Sequence, residues 1–104
     1  MKSDTKNIVL ENTTFIPELF GSQDLNLKLI EKKFNVRITT RENHIKVKGN
    51  PEDVETVEYL FMQMEKLHEA NIPVENGDVK FAIRLIAEDS KSDLKAIFSE
   101  RVAV

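Results

Sequence analysis

The fold is decided by residues 19–67, which have the sequence LFGSQDLNLKLIEKKFNVRITTRENHIKVKGNPEDVETVEYLFMQMEKL. This stretch predicts a turn at Gly21, a helix, a tight β-hairpin and a second, longer helix, in that order. Apolar residues at intervals of three and four predict the first helix. Ser22 or Asp24 is predicted to cap its start, and Asn35 is predicted to end it. The stretch therefore specifies a compact αββα unit.

The hairpin is predicted by two alternating segments, residues 36–41 and 44–48, which are separated only by Glu42 and Asn43. A two-residue loop fixes the register of the strands. The predicted pairs are Arg41 with His44, Thr39 with Lys46, Arg37 with Lys48, Thr40 with Ile45, and Ile38 with Val47. The first three pairs form a ladder of positive groups on one face of the hairpin, and the last two face the core.

The residues on either side of the hairpin unit predict further elements. Residues 8–11 predict a short strand bounded by the turn residues 12–14, after a polar start that we expect to be frayed. Residues 13–19, which include Phe15 and Pro17, predict a packed connector without regular structure. Asn50 as the cap and Pro51 in the first turn predict a long helix that ends near Asn71. Its buried stripe is predicted to contain Val54, Val57, Leu60, Phe61, Met64 and Leu67.

Two more helical segments are predicted toward the end of the chain. The first follows residues 76–78 and has Val79, Ala82, Ile83 and Ile86 as its apolar stripe. Residues 89–92 break this helix. The second covers residues 94–101 and precedes the apolar end at 102–104.

Length and composition predict one domain that comprises residues 1–104. The chain has 104 residues, of which 40% are hydrophobic and 32% are charged, a balance typical of a globular domain with one core. Its apolar runs are far shorter than the roughly 20 residues that a membrane-spanning helix needs, and its first residues do not have the pattern of a secretory signal. The absence of cysteine excludes disulfides and thiolate chemistry. We therefore expect a soluble, cytoplasmic chain.

Positive charge is concentrated in residues 28–48, which carry a local charge of +5 because seven basic residues oppose two acidic ones. The whole chain carries −3, so the remaining residues sum to −8. Cations beside phosphates release counterions, and such a surface binds nucleic acid without sequence preference. The candidate nucleic-acid-binding residues are Lys28, Lys32, Lys33, Arg37, Arg41, His44, Lys46 and Lys48.

The same region has a counterpart in a known family. The similarity is carried by Leu19-Phe20-Gly21, Asp24, Asn26-Leu27 and Ile30-Glu31, followed by a Val-Arg-Ile strand, an Arg-rich hairpin, an Ile-x-Val-x-Gly strand end and a Val-x-x-Val helix. This pattern resembles the N-terminal region of PhoH-family ATPases. The resemblance extends from about residue 8 to residue 87 and is best between residues 19 and 49. The order of elements is also similar to half of a KH domain.

The resemblance implies an α+β fold with a KH-like β-α-β-β-α core over about residues 8–87. Helices would cover one face of a small sheet, and residues 88–104 would form a C-terminal extension toward an ATPase domain. It also implies a surface for single-stranded RNA. A KH domain clamps the nucleic-acid backbone with a GxxG loop between its first two helices. The corresponding residues here are Gly21-Ser22-Gln23-Asp24, so phosphate would meet a carboxylate.

The ATPase motif of the family is missing from this sequence. A P-loop requires GxxxxGK[ST], and none of the three glycines, Gly21, Gly49 and Gly77, begins such a string. The resemblance therefore implies an accessory domain, either cut from a longer protein or standing alone. ATP and Mg would belong to the ATPase domain of the full-length protein, and we expect no cofactor in this chain.

Two other interpretations of the charged residues remain open. The basic hairpin face can be a solvated surface whose like charges discourage edge pairing. The basic window, residues 28–48, contains a single aromatic residue, Phe34, which should be buried, so any RNA contact would be electrostatic.

The acidic side of the long helix is either solvated or docks a basic partner, and docking would make the chain a docking or oligomerisation module. These acids are Glu52, Asp53, Glu55, Glu58, Glu65 and Glu69.

Catalysis is not expected from this sequence. His44 and His68 are the only histidines, and they are neither at metal-ligand spacing nor part of a helical carboxylate motif. No Gly-x-Ser-x-Gly motif is present. We therefore expect neither catalytic nor metal-binding residues.

Overall fold

A computed structural model describes residues 3–11, 13–14, 16–74 and 76–102. Within them, the chain forms strands and helices in an α+β arrangement, which confirms the predicted class. The strands are β1 (Asp4–Val9), β2 (Arg37–Arg41) and β3 (His44–Gly49). The helices are α1 (Ile16–Phe20), α2 (Leu25–Phe34), α3 (Pro51–Glu69), α4 (Asn76–Glu88) and α5 (Leu94–Val102), with a 3₁₀ turn at Ser22–Asp24 between α1 and α2.

The three strands form an antiparallel sheet with the order β1-β3-β2. The predicted hairpin register is confirmed at all five pairs, from Arg41 with His44 to Arg37 with Lys48. Ile45 and Val47 on the central strand point into the core and are buried, and Ile38 is half-buried, whereas Thr40, which was predicted to face the core, is exposed. Helices pack on this side, since α3 contacts β1 and β3 while α2 contacts β2. The predicted arrangement, a small sheet with helices on one face, is therefore confirmed.

Helix α2 ends where the sequence predicts. Asn35 follows its last turn with a left-handed φ of 55°, a conformation that asparagine tolerates better than most residues. The Val36 N–H then donates to the Glu31 carbonyl at 3.2 Å. The Glu31 side chain also reaches β2, where its Oε2 accepts the Ile38 N–H at 2.8 Å. Helix and hairpin are thus joined at their shared turn.

Helix α3 contains the predicted core stripe. Pro51 occupies the first helical turn after Asn50, although the Asn50 side chain makes no capping hydrogen bond. The six predicted stripe residues are all buried: Val54, Val57, Leu60, Phe61, Met64 and Leu67. The helix ends at Glu69, two residues before the predicted end, and Asn71 has a left-handed φ of 59°.

The C-terminal helices pack on α3 and α2. Helix α4 contacts α2 and α3, and α5 contacts α3. Gln63 is buried in α3, and its Oε1 accepts the N–H of Leu94, the first residue of α5, at 3.0 Å. The Tyr59 hydroxyl donates to the Ser92 carbonyl at 2.9 Å. Buried apolar side chains from the strands and helices form one cluster.

In the described part of the chain, no helix combines the length and apolarity that crossing a membrane requires.

Three further predictions about the helices and strands are wrong. Strand β1 begins at Asp4 instead of residue 8, because its polar residues pair with β3 at the edge of the sheet, where one side chain in two faces solvent. The predicted connector contains helix α1, whose first turn includes Pro17; proline is tolerated there since that turn needs no intrahelical donor. Helix α4 already includes residues 76–78.

Some sequence predictions concern residues outside those that the structure describes. They are residues 1–2 of the polar start, the turn residue Asn12, the connector residue Phe15 and the last two residues of the apolar end, 103–104. Leu10, just after β1, is fully buried, and its carbonyl accepts the Asn43 Nδ2 hydrogen at 2.9 Å. The hairpin loop is thereby tied to the end of β1.

Candidate nucleic-acid interface

The outer face of the sheet consists of three rows of side chains, each with one residue from every strand. Strand alternation places every second residue on this face, and the registers of the two strand pairs align them. The rows are Thr5, Lys48 and Arg37; Asn7, Lys46 and Thr39; and Val9, His44 and Arg41. We call these nine residues the outer sheet face.

All nine side chains of the outer sheet face are exposed. Rows lie roughly 7 Å apart along the strands and strands about 5 Å apart, so the face measures about 14 by 10 Å. It is therefore small enough to contact only a few phosphates at once.

Arg37, Arg41, Lys46 and Lys48 give the outer sheet face four permanent positive charges. The face contains no acidic residue. Among the described residues, no carboxylate forms an ion pair with any of these four side chains. The four cations are therefore available to an anionic ligand. Its phosphates can approach them without first displacing a carboxylate of the protein. His44 adds an imidazole between Val9 and Arg41.

Strand β1 contributes three residues that the sequence prediction missed. Thr5 and Asn7 place polar side chains beside Lys48 and Lys46, and Val9 lies beside His44 with 51% of its surface exposed. Residues 4–9 alternate between the two faces in the structure, but the sequence has no matching alternation of apolar and polar residues, because residues 4–7 are all polar. Asp4 and Lys6 lie on the core side of the strand although they are polar. Lys6 is accommodated there by an ion pair with Glu58 at 3.7 Å.

The three lysines of α2 do not join the outer sheet face. Helix α2 belongs to the layer on the opposite side of the sheet, since Leu27 and Ile30 are part of the core. Lys28 and Lys32 are exposed on the outer side of α2, and Lys33 lies next to α4. The eight predicted residues therefore separate into five on the sheet and three on the helix layer.

The Gly21–Asp24 turn has an unusual backbone. Gly21 has φ 80° and ψ 172°, a region that is essentially restricted to glycine. Gln23 and Asp24 both have a left-handed φ, of 53° and 58°. Asp24 occupies the cap position of α2, but its side chain makes no capping hydrogen bond. Below the turn, the buried Asn26 side chain donates to the Leu19 carbonyl at 3.1 Å.

The predicted acidic side of α3 is partly used within the fold. Glu58 pairs with Lys6, and Glu65 Oε2 accepts the backbone N–H of Glu11 at 3.0 Å. These two acids attach β1 and the segment after it to α3. Glu58 and Glu65 are thus half-buried, whereas Glu52, Glu55 and Glu69 are exposed, and the docking of a basic partner on this side stays a prediction.

The histidines lie in different parts of the fold. His44 belongs to the outer sheet face, and His68 Nε2 lies 3.4 Å from the Thr14 hydroxyl. Within the described residues, no group of three or more histidine or acidic side chains is arranged to hold a metal ion.

The chain is similar to part of a known protein. It is 30% identical over 96 residues to a PhoH-like protein of Bacillus subtilis (strain 168). The alignment covers 92% of this chain and 30% of that protein, so the chain spans about a third of the length of this curated relative. No family model matches the chain, and no solved structure matches it. The similarity is thus to a partial region of a PhoH-like protein.

Proposed function

We propose that this chain is an accessory domain of a PhoH-like protein that binds single-stranded RNA through the outer sheet face. The observation that carries the proposal is an exposed face with four permanent cations that have no carboxylate partner among the described residues. Phosphates supply most of the affinity in electrostatic nucleic-acid binding. The described outer sheet face has no phenylalanine, tyrosine or tryptophan for base stacking, and its one aromatic ring is the imidazole of His44, so we expect binding with little sequence preference.

The order of the elements supports a KH-like assignment within this proposal. Helices α1 and α2 follow β1, the β2–β3 hairpin comes next, and α3 packs on the sheet. The Gly21–Asp24 turn lies between α1 and α2, where a KH domain has its GxxG loop. Asp24 would repel a phosphate at this turn, and for that reason we assign the RNA contacts to the outer sheet face instead.

ATP hydrolysis is not part of the function that we propose for this chain. None of its glycines begins a P-loop string, so nucleotide chemistry in a longer PhoH-like protein would belong to a different domain. Within such a protein, the chain would hold or present RNA to the ATPase domain.

A titration of labelled single-stranded RNA tests the proposal by comparing two charge-reversal variants. Arg41→Glu with Lys46→Glu changes two residues of the outer sheet face, and Lys28→Glu with Lys32→Glu makes the same change in charge on the exposed side of α2. All four residues are exposed, so both variants should keep the thermal unfolding midpoint of the wild type. We expect the first variant to lose RNA binding and the second to retain most of it.

Two results would contradict this proposal. Equal loss in the two variants would mean that general charge, and not the outer sheet face, controls binding. No detectable RNA binding by the wild type at about 50 mM salt, where electrostatic binding is strong, would favour a docking or oligomerisation module. Sedimentation of the isolated chain then measures self-association directly.

A further inference from the structure

A groove between α2 and α4 has an apolar floor and a positively charged rim. It has a volume of about 300 Å³ and is lined by Leu29, Lys33, Lys80, Ile83 and Arg84. Ile83 is buried and Leu29 is half-buried, whereas the three basic side chains are exposed. Within the part of the chain that the structure describes, none of these three cations pairs with a carboxylate. The groove therefore combines apolar surface with three positive charges that are not compensated locally.

The charges lie on both walls of the groove. Lys80 and Arg84 are four residues apart on α4, so they lie one turn apart on the same side of that helix, and Lys33 lies on α2. The Arg84 guanidinium carbon is 5.5 Å from the centre of the Phe81 ring, a geometry that favours a cation–π contact. Phe81 in turn packs against Phe98, with ring centres 5.9 Å apart. Arg84 is therefore held at the rim by an aromatic pair.

We propose that this groove binds an acidic amphipathic peptide segment of a partner protein. One apolar side chain of the segment would cover Leu29 and Ile83, and flanking carboxylates would face the rim. The volume is at the lower end of the range for ligand pockets, which suits one or two aliphatic side chains and not a whole small molecule. RNA fits less well, because its phosphates would satisfy the rim but leave the apolar floor exposed to water.

This surface is independent of the RNA-binding proposal. Helices α2 and α4 belong to the layer behind the sheet, and none of the groove residues lies on the outer sheet face. The sequence analysis listed Lys33 among the candidate nucleic-acid-binding residues. Its position in the structure assigns it to this groove instead.

Fluorescence anisotropy with a designed peptide tests the inference. The probe is a labelled helical peptide with leucines along one side and glutamates beside them, and its control has every leucine replaced by serine. Lys80→Glu with Arg84→Glu should weaken binding of the leucine peptide at least about tenfold, because two attractive pairs become repulsive. Lys28→Glu with Lys32→Glu, which makes the same change in charge outside the groove, should stay within about threefold of the wild type.

Lys33→Glu provides a second test from the opposite wall, in case the α4 variant does not fold. Equal binding of the leucine and serine peptides would overturn the inference, as would unchanged binding by the groove variants. Loss of RNA binding in the α4 variant, without peptide binding by the wild type, would assign the groove to RNA. Self-association that the α4 variant abolishes, again without peptide binding, would assign the groove to a second copy of the chain. Arg41→Glu with Lys46→Glu should leave peptide affinity unchanged, so the two proposals can fail separately.

Discussion

The salt dependence of RNA binding should report the number of cations on the outer sheet face. Four permanent charges, those of Arg37, Arg41, Lys46 and Lys48, face solvent there. For single strands the slope of log K against log salt is about −0.7 per neutralised phosphate, which gives roughly −2.8 for four contacts. Affinity should then fall roughly 50-fold between about 50 and 200 mM salt.

Neutralising two of the four charges should halve this slope. Arg41→Gln with Lys46→Gln leaves two cations on the face, so we expect a slope of about −1.4 and a roughly sevenfold loss over the same salt range. The assay is fluorescence anisotropy of a labelled oligouridine in a NaCl series. The matched control, Lys28→Gln with Lys32→Gln, should keep the wild-type slope. A slope that does not change in the Arg41 and Lys46 variant would refute the assignment of the contacts to this face.

Two further predictions concern stability, and both are measured by urea or thermal unfolding. Gln63→Leu should lower the free energy of unfolding by about 1–3 kcal/mol, because the buried Leu94 N–H loses its acceptor; an unchanged midpoint would mean that another group or water replaces the acceptor. Gly21→Ala should destabilise by about 1–3 kcal/mol from its backbone conformation alone, and its new Cβ would also lie 2.8 Å from Asn26 Nδ2. Gly77→Ala is the matched control, since its Cβ meets nothing within 4 Å and this residue lies in the first turn of α4, so the substitution should be neutral or slightly stabilising. Equal effects of the two glycine substitutions would contradict this reasoning.

Local patterns were sufficient to predict the hairpin and the two helices that flank it. Alternation and a two-residue loop define the register without reference to the rest of the chain. The core stripe of α3 was predictable for a similar reason, because apolar residues recur at intervals of three or four residues from Val54 to Leu67. Asn35 and Pro51 marked the helix boundaries through their own backbone preferences.

The errors arise where tertiary contacts outweigh local patterns. Asp4 and Lys6 lie on the core side of β1 but are only partly buried, and the Lys6 side chain, which is 40% exposed, pairs with Glu58 at 3.7 Å. The division of the basic residues also depends on packing. Sequence places Lys33 close to Arg37 along the chain, but the turn at Asn35 directs the helix and the strand to different layers.

A side-chain carboxylate occupies a backbone donor on each edge strand of the sheet: Glu31 accepts the Ile38 N–H on β2, and Asp4 Oδ1 accepts the Thr5 N–H on β1 at 2.9 Å. A strand that added to β2 would need the Ile38 N–H, and this donor is already bonded to the Glu31 carboxylate at 2.8 Å. Breaking that bond would leave the carboxylate without its partner in a partly buried place. Growth of the sheet by strand exchange or aggregation is therefore discouraged at both edge strands.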